Sequence, residues 1–179
     1  MNKVTVLINQ VAIARNNYLD AIKNTSEADA QLKPDPGSWN IIENTEHLFW
    51  AEQGGILGMW KTIAAIRNGT MEKKFESAHK DMGIEELIAK TWKPKEEVPA
   101  VAAPRMGGTL AFWLAALASL QLVLEAFGKE LKEEELKILA HPHPISGEVD
   151  FQQRLEFLSF HLDRHRVQVS RLIDFIEKK

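Results

Sequence analysis

An apolar stripe near the C-terminus limits the folds open to this chain more than any other feature. Phe151, Leu155, Leu158, Leu162, His165, Val169, Leu172 and Ile176 follow one another in alternating steps of four and three. That spacing lines side chains along one face of an α-helix. Asp150 and Gln153 have capping-box spacing, so the helix is expected to start there and run to about Glu177. Such a face has to be buried against other helices.

The rest of the chain supplies three such partners and no run that alternates like a strand. Val4, Ile8, Val11, Arg15, Tyr18 and Ile22 give helical spacing over roughly Asn2 to Lys23, and Asn24-Thr25-Ser26 ends it. The turn Pro34-Asp35-Pro36-Gly37-Ser38 delivers the chain into a second helix beginning near Trp39-Asn40. Either Ser38 or Asn40 with Glu43 can cap that helix, and Asn68-Gly69 stops it after Arg67. Gly54, Gly55 and Gly58 inside it mean close packing of a neighbour or a local kink. A third helix is expected from about Thr109 to Phe127, ending at Gly128, and a charged turn or short helix over Glu130 to Leu139.

Between the second and third helices, Thr70 to Pro104 reads as irregular, with one short helix at Ile84 to Thr91. Pro94, Pro99 and Pro104 argue against a regular element there, and so long a connection usually crosses a bundle or lines a site. No repeat and no low-complexity segment interrupts the chain. The expected architecture is all-α, a four-helix bundle over residues 1–179 as one domain, a length that buries a core without staples.

Composition narrows the chemistry. Absence of cysteine excludes a disulfide framework, a zinc ribbon, an iron–sulfur cluster and a cysteine nucleophile. A bound metal would therefore rest on histidine and carboxylate. With Lys+Arg at 22 against Asp+Glu at 25, no basic excess points to nucleic acid. No h-region with a cleavage site follows Met1. The apolar stretch Leu110–Leu124 is shorter than the roughly 20 residues of a membrane span. A protein of the cytoplasm, with no membrane partner, is the expectation.

The six histidines then carry most of the information. His161 and His165 stand at i and i+4, so their rings emerge one turn apart on one face and can converge on one divalent cation. Such a pair alone also fits hydrogen-bonded core or surface residues. His47, on another long helix, adds a third nitrogen, and three protein ligands leave a position open, as catalytic metal sites do. His143 reads as fixing the turn before the last helix rather than as a ligand, His141 as part of the same turn, and His79 as solvent-exposed.

Two segments resemble the DinB-like superfamily, damage-inducible metal-binding four-helix bundles that include the bacillithiol and mycothiol S-transferases. Ser38-Trp39-Asn40-Ile41-Ile42-Glu43-Asn44-Thr45-Glu46-His47-Leu48 is similar to the family's first motif. His143-Pro144-Ile145-Ser146-Gly147, followed by His161-Leu162-Asp163-Arg164-His165 and then Gln168, is similar to its fourth-helix signature. The resemblance implies an up-down-down-up bundle with zinc or nickel on His47, His161 and His165, and a homodimer. It also implies a metal-dependent thiol S-transferase or hydrolase, taking a small-molecule thiol and an electrophile. The apolar third helix and the 70–108 connection depart from the pattern and leave the substrate open. A non-catalytic metal-binding or interaction bundle is the alternative.

Under the enzymatic reading the metal acidifies a water or an incoming thiol, the sulfur being borrowed because the chain has none of its own. Trp50, Trp60 or Trp113 would wall the electrophile. Glu43 is a candidate for supporting a ligand histidine, or equally the cap partner of Asn40.

Overall fold

The computed structural model describes residues 2–93 and 97–179. Met1 and Pro94, the first of the three prolines counted above, lie outside them. Among the described residues the chain is helical, with isolated bridges in place of strands. Its helices are α1 (Lys3–Ile22), α2 (Glu27–Ala30), α3 (Ile41–Arg67), α4 (Ile84–Thr91), α5 (Leu110–Glu130) and α6 (Phe151–Glu177), with a 3₁₀ turn at Glu133–Glu135.

The ends follow from side chains that satisfy the free N–H groups of a first turn. Asn2 caps α1, and Asn40, rather than Ser38, caps α3 in a reciprocal box with Glu43. Asp150 and Gln153 form the same box on α6. The short α2 was not legible as a helix; Ser26 caps it through the Asp29 N–H.

α1 packs on α5 and α6, and α3 packs on the same two helices. All six members of the expected α1 stripe are buried, as are Phe151 through Leu172 of the α6 stripe. Val11, Tyr18, Leu48, Met59, Leu117, Phe127, Leu155 and Leu162 join in one core. Full burial of a side chain of this kind contributes roughly 1.5–3 kcal/mol. One member of the α1 stripe is charged. Arg15 meets Glu52 of α3 at 2.6 Å with both side chains out of solvent, and it also reaches Gln121 of α5.

α5 corrects the sequence reading twice. It passes through Gly128 instead of ending there, because that glycine serves contact: a Cβ would come within 2.9 Å of Ile8 on α1. At 21 residues it is also long and apolar enough, by length and composition, to cross a membrane, where the stretch counted from sequence fell short. Leu110, Trp113, Leu117, Leu120, Leu124 and Phe127 turn inward. Phe112, Leu122 and Val123 remain exposed.

The long connection returns to the helices at both ends. Leu87 and Ile88 of α4 pack with Val149 and Phe157 against α6. The 97–108 loop lies on α3, held by a single carboxylate. Glu46 accepts the backbone N–H groups of Arg105, Met106 and Gly107 at 2.8–3.0 Å, together with Trp50 Nε1. Burial alone would raise that carboxyl, yet these donors keep it below the usual carboxylate range.

Candidate metal centre

His47, His161 and His165 come together between α3 and α6, all three buried. Each offers one nitrogen, and these nitrogens lie within 4.8 Å of one another. Ring centroids are 4.7 Å apart for His47–His165 and for His161–His165, and 5.0 Å for His47–His161. The i, i+4 spacing on α6 produces one half of the cluster, and packing of α3 on α6 supplies the other.

Two of the rings are held in a defined tautomer. His47 Nδ1 stands 2.8 Å from the Ala102 carbonyl, which only accepts, so the proton is on Nδ1 and the lone pair on Nε2. His165 Nδ1 stands 2.9 Å from Asn44 Oδ1, with the same consequence. His47 Nε2 then faces His161 Nε2 at 3.1 Å. His161 Nδ1 is buried without a hydrogen-bond partner among the described residues. Either His161 places its one proton between the two Nε2 atoms and leaves a bare buried acceptor, or it keeps Nδ1–H and opposes two lone pairs. A cation between the rings removes the opposed lone pairs. The donor set thus fits a divalent transition metal.

Electrostatics agree. Burial holds all three imidazoles below the ordinary histidine value, and for His161 and His165 the neighbouring cationic forms push further the same way. Neutral imidazole is the form that ligates.

The centre opens into a cavity of about 600 Å³. Trp39, Trp50 and Trp92 line it; Trp60 and Trp113, named from sequence as possible walls, do not. Trp60 instead packs on Phe127, and Trp113 is buried in the core with Nε1 on the Gly107 carbonyl. The Trp39 ring centroid is 5.0 Å from that of His47 and 6.5 Å from that of His165. Trp92 is fixed through Nε1 to Ser146 Oγ at 3.0 Å. The 97–108 loop forms one wall through Val98, Pro99, Val101, Ala102 and Arg105.

Glu43 is the cap partner. Its carboxylate meets the Asn40 N–H and Lys33, away from the histidines. Asn44, one residue on, is what holds a ring of the cluster, that of His165. Nothing in the spacing of residues identifies Ala102, 55 positions beyond His47, as the other support. His143 does fix the turn, its Nδ1 accepting the N–H groups of Ile145 and Ser146. His141 does more than extend the turn: its ring lies against the bare backbone of Gly58, where a Cβ would overlap it, and it contacts Arg154. His79 is half-buried, with Nδ1 shut from solvent, rather than exposed.

Comparison with known proteins agrees with this architecture. No curated protein sequence matches the chain. A solved structure described as the conserved protein of locus from Enterococcus faecalis superposes with a TM-score of 0.64 at 14% identity. The match covers 100% of this chain and 99% of that one, a likeness of fold alone. The sequence profile of the DinB superfamily matches residues 10–169, nearly the whole length, and the chain belongs to that superfamily.

Proposed function

We propose that this chain is a metal-dependent enzyme of the thiol S-transferase or hydrolase type, with zinc or nickel on His47, His161 and His165. One observation carries the reading: three imidazole nitrogens converge at the wall of a cavity while two of the rings have their Nδ1 protons fixed elsewhere. Three ligands leave coordination positions for a reactant. A divalent cation held there supplies Lewis acidity, lowering the pKa of a thiol or water brought to it. The protein's own part is to orient the histidines through Ala102 and Asn44, to cover them with Trp39, and to seat the electrophile between Trp50 and Trp92.

The reading takes the helices in up-down-down-up order and the protein as a homodimer of the cytoplasm, without membrane or nucleic-acid partners. Ala111, Phe112, Ala115, Ala118, Leu122 and Val123 form an exposed, uncharged face on α5. Its alanines let an identical helix approach closely, and a second copy there would cover a surface that a monomer leaves in water.

Metal analysis of protein purified without a histidine tag tests the proposal. Stoichiometric zinc or nickel is expected, lost in His161→Ala and His165→Ala while the far-ultraviolet dichroism stays helical. Protein that carries no metal and takes none up on titration would overturn it. Conjugation of a chlorinated aromatic by a panel of low-molecular-weight thiols then separates an enzyme from a metal-binding bundle without turnover.

A further inference from the structure

The cavity contains a guanidinium, that of Arg154, with no counter-charge among the described residues. Arg154 is 6% exposed, yet no carboxylate meets it among the described residues. Elsewhere the fold treats this group differently: buried Arg15 has Glu52, and Arg67 has Glu135 and Glu130. A buried charge without a counter-charge costs several kcal/mol, so its retention requires a return outside the apo fold.

Arg154 is also deliberately seated. Its guanidinium lies over Gly55, where a Cβ would stand 3.5 Å from Nη2, and Nη2 contacts His141 Nε2. Since guanidinium only donates, His141 Nε2 accepts, and the neutral ring carries its proton on Nδ1. That Nδ1 is buried and has no hydrogen-bond partner among the described residues. His143, whose Nδ1 already accepts two backbone N–H groups, carries its proton on Nε2. Both rings and Arg154 line the same cavity. The result, among the described residues, is a group of donors with no acceptor, most of the Arg154 fork and His143 Nε2–H, with the His141 ring packed behind the fork against Gly58. Arg105 and Arg164, on the same walls, likewise have no carboxylate partner among the described residues, and Glu97 is the one acidic side chain described there.

We propose that Arg154, held by His141 and joined by His143, forms a subsite for an oxyanion, a carboxylate or phosphate on the small-molecule substrate whose reacting end lies at His47, His161 and His165. A guanidinium fork matches the two oxygens of either group. Arg154 and His161 are seven residues apart on α6, two turns and about 10 Å along the axis. The substrate is therefore an organic acid whose anionic end and reacting atom are several bonds apart, its body lying along Trp92 and Phe157. The assignment of the reacting end rests on the proposed function above; the oxyanion subsite does not need the metal.

Titration of metal-free protein with succinate, inorganic phosphate and methanesulfonate, read by the ring resonances of His141 and His143, tests it without any variant. Saturable shifts at those two rings are expected for succinate or phosphate, and which binds tighter identifies the anion. Arg154→Leu should weaken binding at least tenfold and Arg154→Lys less, while metal uptake by either variant stays stoichiometric. Because the leucine removes an uncompensated charge, Arg154→Leu should melt no lower than wild type. No saturable shift with any of the three anions, or binding unchanged in Arg154→Leu, would overturn the subsite. Anion binding that persists in protein unable to take up metal would overturn the metal reading and leave the subsite standing.

Discussion

Asn44 decides which nitrogen His165 can offer. Its Oδ1 takes the Nδ1 proton, so the lone pair faces His47 and His161. Removing such a partner lets the ring rotate and change tautomer, and typically costs about 10–100-fold in metal affinity. Asn44→Ala is therefore expected to weaken metal binding by about that factor with helicity intact, measured by competition with a chelating dye. Unchanged affinity would show that Asn44 is a packing residue. At this scale the histidines were legible, because i and i+4 on one helix define a direction in space before any fold is known. Their supports were not. Asn44 and His165 are 121 positions apart, and the carbonyl of Ala102 carries no side-chain signature. Arg154 was hidden for a related reason, since lacking a carboxylate partner is visible only once all neighbours are placed.

Among the elements, the α1–α3 contact holds the least replaceable interaction. Arg15→Met alone would strand the Glu52 carboxylate in the core, at a cost of about 3–5 kcal/mol. The joint change Arg15→Met with Glu52→Leu should restore most of that loss, because an apolar pair of similar volume needs no desolvation. Urea unfolding of both variants checks this, and equal losses would refute it. The loop over α3 makes a second test. Glu46→Ala leaves the N–H groups of Arg105, Met106 and Gly107 without their acceptor, at about 1–3 kcal/mol. Hydrogen exchange should quicken at those three amides, with α6 unaffected. Helix positions were readable from periodicity and caps, but not the α5 terminus. Glycine ends helices often enough to signal a stop. Here Gly128 instead makes room for Ile8, a contact between residues 120 positions apart that no local pattern encodes.

The whole molecule should be acid-sensitive over a defined range. Burial, reinforced by Arg154, holds His141 down to about 4 and His143 down to about 3. In the unfolded chain the same rings take up protons near 6.5. Between those values the unfolded state binds more protons, so stability rises with pH through the window and levels off above it. The Tm of metal-free protein should be level from pH 8 to 7 and fall from about 6.5 toward 3. A Tm that climbs on acidification through that window would contradict the assignment. Association can be tested at the same scale: Leu122→Glu should leave a monomer in sedimentation if a second copy covers the exposed α5 face. The grip of Glu46 on the 97–108 loop has a broader consequence. It holds main-chain amides, which every residue but proline possesses, so it fixes the path of the loop without dictating its composition. Val98, Val101 and the Arg105 side chain can then be exchanged for others while the helices and the three histidines stay where they are. Under the proposed function, selectivity can diverge on this scaffold independently of the chemistry beneath it.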